Sequence, residues 1–277
     1  MNNTISRLLL PKRIQEKILH VFLALCVHRS IDCDTHSLIQ TLTGCPNPRF
    51  TTVIRQGDAL IDRSRSIVAS RFIQSDNYDI LFFIDDDIIF NPQDLAAMCL
   101  KMNTEDIEIL GGTYLKKQDV EPVLTFKGIP GVTYKFGEGA GIQEVIAAST
   151  GFLGIKKSAL RKMIDSGAVP LCHPNDLKFY PFFQPQAKLI DGENVYLSED
   201  WAFAIKAKEL GIRSYIDGSI KLGHAGRYVY TWDDIYRLRG KKENIHSFEY
   251  LDTGHRVSVK RTDLTVPNQN EAVPGRA

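Results

Sequence analysis

The chain has no apolar run approaching the ~20 residues needed to cross a bilayer. Its best candidate, residues 18–27, is interrupted by His20. No small-x-small cleavage site follows that stretch, and Leu25 is too bulky for a lipoprotein cleavage box before Cys26, so no secretory leader is expected. Paired cysteines are also missing. Cys26, Cys33, Cys45, Cys99 and Cys172 are odd in number and none has C-x-x-C spacing. That argues against a zinc ribbon or dithiol motif and for reduced thiols in a cytoplasmic protein. Net charge is nearly absent: 34 Lys and Arg against 33 Asp and Glu give +1. A protein that coats nucleic acid by bulk charge is normally far more basic. There is no internal repeat and no low-complexity segment. What remains is an ordinary globular balance, 43% hydrophobic and 24% charged over 277 residues. That is enough chain to bury a substantial core.

Short apolar runs at 21–27, 50–54, 80–84 and 107–110 read as buried strands of a parallel sheet. Helical patterns lie between them. Asp34 is placed to cap a helix running to Leu42. Residues 58–73 repeat apolar positions near the helical period. Asn91-Pro92 is a strong helix start, with a capping amide followed by a proline in the first turn. Strand alternating with helix predicts a doubly wound α/β sheet. The second half differs. Residues 121–148 are rich in glycine and β-formers and suggest antiparallel strands. Residues 156–164 and 199–210 read as helices, the second stopped by Gly211. Strands are expected at 213–217 and 219–222, a loop or lid at 170–185, and a flexible tail from about Val257.

The most informative segment is Ile80-Leu81-Phe82-Phe83-Ile84-Asp85-Asp86-Asp87. Five apolar residues run straight into three carboxylates that repel one another, and a counter-cation would relieve them. Ligands of open α/β sheets sit outside the carboxyl ends of the strands. Manganese or magnesium takes oxygen ligands there and commonly bridges carboxylates to phosphates. Alternation along the strand lets Asp85 and Asp87 share a side while Asp86 points elsewhere. The competing reading is an acidic turn with caps.

A second acidic site is Ser198-Glu199-Asp200-Trp201, where Ser198 is a natural N-cap and the acids suit the first turn. Helix-start acids with no other task are the plain alternative. An aromatic beside carboxylates also suits a sugar-binding cleft, in which a carboxylate can take a proton from a hydroxyl. Later, Gly223-His224-Ala225-Gly226 sets a histidine between glycines after an apolar run. An imidazole there is a good manganese ligand beside carboxylates, and an ordinary loop histidine is the alternative.

Taken together, these motifs resemble the nucleotide-sugar glycosyltransferases of the GT-A fold, over roughly residues 20–230. The family order is a nucleotide-binding α/β half, a D-x-D at a strand end, an acidic pair on a helix, and a late histidine. Here these are Asp85-Asp86-Asp87, Glu199-Asp200 and His224. Arg65, with Arg63 second, resembles the family's helix-start arginine near the nucleotide. Gly111-Gly112-Thr113-Tyr114 resembles the donor-pocket stretch, and Ser149-Thr150-Gly151 the segment near the sugars.

The resemblance implies a single GT-A-like catalytic domain over 1–256. Its donor half spans about 20–115 and its acceptor half about 116–256. It implies Mn2+ or Mg2+ held by Asp87 and His224, with Asp85 on the metal or the ribose and Asp86 on the nucleotide. It makes Asp200 the general base, with Glu199 supporting the acceptor or the base. It puts His28 and Arg29 near the nucleobase, and Gly112, Tyr114, Gly151 and Trp201 around the sugars. A UDP-sugar donor is the family default. With no candidate nucleophile for two displacements, inversion is expected.

Two other classes compete. A nucleotidyltransferase would want a glycine-rich phosphate loop after the first strand, where this chain has Val27-His28-Arg29-Ser30-Ile31-Asp32. A non-catalytic sugar- or nucleic-acid-binding module would not need Asp87, Asp200 and His224 together. A metal-dependent phosphohydrolase is more remote. The acceptor stays open among glycan, lipid-linked glycan, protein and modified DNA base. The basic run 237–242 is a candidate contact for an anionic acceptor or membrane surface.

Overall fold

The computed structural model describes residues 18–117, 124–173, 177–190, 192–226 and 229–232 in full, and 245–250 and 257–258 as backbone. The first half alternates as the sequence predicts: β1 (His20–Val27), α1 (Cys33–Thr41), β2 (Arg49–Gln56), α2 (Ile61–Gln74), β3 (Ile80–Ile84), β4 (Ile88–Ile89), α3 (Pro92–Thr104) and β5 (Ile109–Gly111). There follow β6 (Phe126–Lys127), β7 (Thr133–Gly137), β8 (Ile142–Val145), β9 (Ala147–Ala148), β10 (Phe152–Lys156) and α4 (Lys157–Asp165). The remainder is β11 (Gln186–Ile190), β12 (Glu193–Leu197), α5 (Glu199–Glu209), β13 (Ser214–Asp217), β14 (Gly223–Ala225), β15 (Val229–Tyr230), β16 (Ile245–Tyr250) and β17 (Val257–Ser258).

The centre is a mixed, mostly parallel seven-stranded sheet in the order β2-β1-β3-β10-β5-β13-β8. Strands β2, β1 and β3 pair in parallel, as do β5 and β13, whereas β10 and β8 run against their neighbours. Small antiparallel sheets flank it: β11-β12, β15-β14-β4, β17-β16-β7 and β6-β9.

Both faces of the sheet are covered at β1 and β3, which explains their unbroken apolar runs. The edge strand β2, expected to be buried, has no buried residue and leaves Ile54 50% exposed. In β1, Val21, Leu23, Leu25 and Val27 pack on one side with Ile39 of α1 and Leu95, Met98 and Met102 of α3. Phe22, Ala24 and Cys26 pack on the other with Val68 and Phe72 of α2, Leu160 of α4 and Phe203 of α5. Burying a side chain such as Phe82 or Phe83 in this way contributes roughly 1.5–3 kcal/mol.

Several local expectations are corrected. Asp32, not Asp34, caps α1, its carboxylate accepting from the amides of Asp34 and Thr35. Helix α2 starts at Ile61 rather than at Asp58, whose carboxylate instead closes the preceding turn on the Leu60 amide at 3.1 Å. Asn91 caps α3 through the Gln93 amide as expected, and Gly211 follows α5 with φ +74°. Residues 219–222 leave a turn as irregular chain, and the strand comes directly after them as β14.

The stretch expected as a loop or lid is pinned. Phe182 and Phe183 are fully buried. The amides of Tyr180 and Phe183 donate to Ser70 and Ser66 hydroxyls of α2 at 2.8 and 3.1 Å. Val257–Ser258, at the start of the expected tail, pairs with β16. The rest of that tail and the basic run 237–242 lie outside the described residues. Among the described residues no helix is long and apolar enough to cross a membrane.

Candidate active site

Parallel β1, β3 and β5 all end on one side of the sheet, and antiparallel β10 begins there. That rule of direction gathers residues 28, 85, 112 and 151 at one rim. The backbone stitches them together. The Asp85 amide donates to the Gly151 carbonyl at 2.9 Å, and the Gly112 amide to the Phe152 carbonyl at 3.0 Å. A Cβ on Gly151 would lie 1.9 Å from the Tyr114 hydroxyl and 2.7 Å from Asp85 Oδ2. Only glycine fits between them. A Cβ on Gly112 would meet Leu222 at 2.6 Å and Phe152 at 2.9 Å, so this glycine serves packing beneath the rim. Tyr114 is buried. Its hydroxyl shares a 3.1 Å hydrogen bond with Ser149, and its ring meets the His224 ring edge-on at 4.9 Å.

Strand β14 brings His224 to the acidic tip. It pairs antiparallel with β4, and the Ala225 amide donates to the Asp87 carbonyl at 2.8 Å. His224 Nε2 then faces Asp87 Oδ1 at 3.4 Å, and Nδ1 lies 2.8 Å from the Leu115 carbonyl. A carbonyl only accepts, so Nδ1 carries a proton. A neutral ring therefore turns its Nε2 lone pair toward Asp87, and two such groups repel unless a proton or a cation lies between them. The other oxygen of Asp87 receives the Lys117 ammonium. Burial pushes the Asp87 carboxyl up. His224, when its ring is an imidazolium that donates from Nε2, and the Lys117 ammonium outweigh burial and hold it below its ordinary value.

Asp85 is committed elsewhere. The guanidinium of Arg65, from α2, donates to Asp85 Oδ1 and to Glu199 Oε1, each at 2.7 Å. Arg65 is only 5% exposed. Burial works against its charge, but the two carboxylates prevail and its pKa is raised. The Glu199 carboxyl is pushed up by burial and by Asp200, with Arg65 opposing. Asp200 sits next in the first turn of α5. Its Oδ1 accepts from the Ser198 hydroxyl and, at 2.8 Å, from the Trp201 amide. Ser198 stands at the N-cap, but its hydroxyl is spent on Asp200 rather than on a helix amide. Trp201 is half-buried beside it.

The structure thus joins Asp85, Asp87, Glu199, Tyr114, Gly151 and His224 into one contact network, with Asp200 at its helical edge. Asp86 is apart from these side-chain pairs. Its carbonyl accepts from the Asp32 amide at 2.7 Å. Burial first, then repulsion by Asp87 and Asp85, pushes its carboxyl up to about 6. His28 and Arg29 are exposed directly after β1. A cleft of about 500 Å³ nearby is lined by Val27, Ser30, Ile31, His36, Ile54 and Gln56, and neither His28 nor Arg29 is among its walls. Arg63, the second choice of arginine, is held by Asp58 at 2.6 Å.

Among the described residues no three His, Cys, Asp or Glu side chains converge as a metal-binding group. Asp87 and His224 make a pair, and the expected third member, Asp85, is turned to Arg65. Lys117 and the Leu115 carbonyl were not singled out from the sequence. Lys117 lies three positions after Tyr114 of the Gly111–Tyr114 stretch, and that nearness was the one available signal.

No protein-family model and no curated protein sequence matches this chain. Among solved structures, A197 from STIV is similar over 76% of this chain and 86% of its own, at 18% identity and a TM-score of 0.44. GalNAc-T7, crystallised with UDP, GalNAc and Mn2+, is similar over 77% of this chain and 45% of its own, at 9% identity and a TM-score of 0.40. Both likenesses are too distant to bear on what this site does.

Proposed function

We propose that the chain is a metal-dependent glycosyltransferase of GT-A type. It would move a sugar from a nucleoside diphosphate sugar, with UDP-sugars as the default, to an acceptor hydroxyl with inversion. The observation that carries this reading is the meeting of Asp87 and His224, 3.4 Å apart. They stand at the rim where Arg65 also ties Asp85 to the helix bearing Asp200.

A divalent cation fits that pair. A carboxylate oxygen faces an imidazole nitrogen whose tautomer is fixed by the Leu115 carbonyl. Manganese and magnesium commonly take few protein ligands and complete their shell with phosphate oxygens and water. Asp87 and His224 would hold the ion, which when bound supplies Lewis-acid neutralisation of the leaving diphosphate.

The remaining chemistry belongs to the chain. Asp200 Oδ1 is occupied by Ser198 and Trp201, which fixes the carboxylate and leaves Oδ2 for the acceptor. Asp200 Oδ2 takes the proton as the acceptor oxygen bonds to the anomeric carbon and the carbon–phosphate-oxygen bond breaks. Arg65 positions the pieces by holding Asp85 and Glu199 a fixed distance apart. Gly151 leaves room for Tyr114 beside Asp85.

The test is donor turnover, read as release of nucleoside diphosphate from UDP-sugars with Mn2+. Asp87→Ala abolishes it. Asp200→Asn keeps calorimetric donor binding while turnover falls by about 10²–10⁴-fold. Wild-type turnover in Asp200→Asn would remove Asp200 as the base.

A further inference from the structure

We propose that Lys117 is a diphosphate-binding residue of the donor site, parked on Asp87 until a divalent cation claims that carboxylate. The inference rests on the donor-site reading above and adds to it a residue and an order of events.

Both oxygens of Asp87 are engaged, Oδ2 by the Lys117 ammonium and Oδ1 by His224. Lys117 therefore neutralises the carboxylate that the cation needs. The fold makes room for this arrangement. A Cβ on Gly226 would lie 3.2 Å from Lys117 Cδ and 3.7 Å from Cε, so the lysine stem runs along a glycine. The segment that supplies the ammonium also supplies, two residues earlier, the Leu115 carbonyl that orients His224. One short stretch thus sets both the histidine and the lysine on Asp87.

The pair is built to open. The side chains of Lys117 and Asp87 are 33% and 30% exposed, and partly exposed ion pairs hold weakly. Charge balance gives the lysine its destination. Asp85, Asp86, Asp87, Glu199 and Asp200 crowd this rim, and Arg65 is spent on two of them. Were Asp87 and His224 to hold a cation, the freed ammonium would be available to a diphosphate bound at the same rim. A lysine binds phosphate as a compact point charge.

The experiment uses full-length Lys117→Met, which keeps a stem against Gly226. Mn2+ affinity is measured without nucleotide, by the electron paramagnetic resonance signal of the free ion. Affinity for UDP, GDP, CDP and ADP is then measured by calorimetry in saturating Mn2+. The expected result has opposite signs: Mn2+ binds several-fold more tightly to the variant, and the preferred nucleoside diphosphate about tenfold more weakly. Lys117→Arg recovers the nucleotide affinity. A general structural loss would weaken both, and that result overturns the proposal. Wild-type binding of Mn2+ and nucleotide with neither changed in Lys117→Met also overturns it, but leaves the donor-site reading standing. Wild-type protein that binds neither overturns both.

Discussion

At the scale of single residues, the side chain that most shapes the site is Arg65. It is almost fully buried with two carboxylates on its guanidinium, one of them 134 positions away in sequence. Breaking a sealed buried ion pair from one side costs about 3–5 kcal/mol. Asp85 keeps 31% of its side chain exposed, so Arg65→Met is expected to cost roughly 2–4 kcal/mol in urea unfolding. Arg65→Lys recovers less than half of that, because an ammonium cannot span both acids as the planar fork does. Unfolding of Arg65→Met at the wild-type midpoint would mean that the guanidinium joins nothing of consequence. The family resemblance set Arg65 near the nucleotide. Its two carboxylate partners were hidden in the sequence because they come from the end of β3 and the start of α5, and only the tertiary fold brings those to α2. The Asp87–His224 pairing was legible only through the family resemblance, which set both on one cation; the residues themselves marked two separate candidate sites. Lys117 was not, because a lone lysine after a turn has no distinguishing pattern.

At the scale of elements, the turn between β2 and α2 shows how one carboxylate sets a boundary. Asp58 accepts from Arg63 at 2.6 and 3.0 Å, from Arg55 at 3.0 Å and from the Leu60 amide at 3.1 Å. The Arg63 hydrogen bonds lead in lowering its pKa, with burial opposing. The folded value lies below the unfolded one, so the stabilisation is complete above the ordinary carboxylate range. It declines as pH falls below about 4. Asp58→Asn is accordingly expected to cost roughly 1–2 kcal/mol at pH 7, and clearly less at pH 3, in denaturant titrations at the two pH values. An equal gap at both would show that charge has no part in the turn. Elements with one strong local cause were readable: β1 and β3 by their apolar runs, α3 by Asn91-Pro92. Strand β10 was not, because Phe152–Lys156 follows a small-residue turn and has no length or alternation of its own. Its strand character comes from the edges of β3 and β5 on either side. The β11-β12 hairpin was missed for a similar reason. Leu189 and Tyr196 are exposed, so its pattern lacks a buried face to announce it.

At the scale of the whole molecule, the two halves expected from the sequence share one sheet. Strands β10, β13 and β8 come from the second half and complete the array begun by β1, β2 and β3. The rim therefore depends on both halves being folded at once, and a ligand that binds there stabilises the entire molecule. In a thermal-shift panel of nucleotide sugars, a matching donor at about 100 times its Kd adds ~2.7 kcal/mol. For a chain of this size that raises Tm by roughly 5–10 °C. The shift is expected with manganese present and absent without it, and silence from every nucleotide sugar would argue against a donor site. The central position of β10 has one more consequence, for biosynthesis. A ribosome releases β3 and β5 long before the strand that must slot between them. The nascent chain consequently carries the facing edges of β3 and β5 through some forty residues of translation until β10 arrives, and the far edge of β5 waits longer still, for β13.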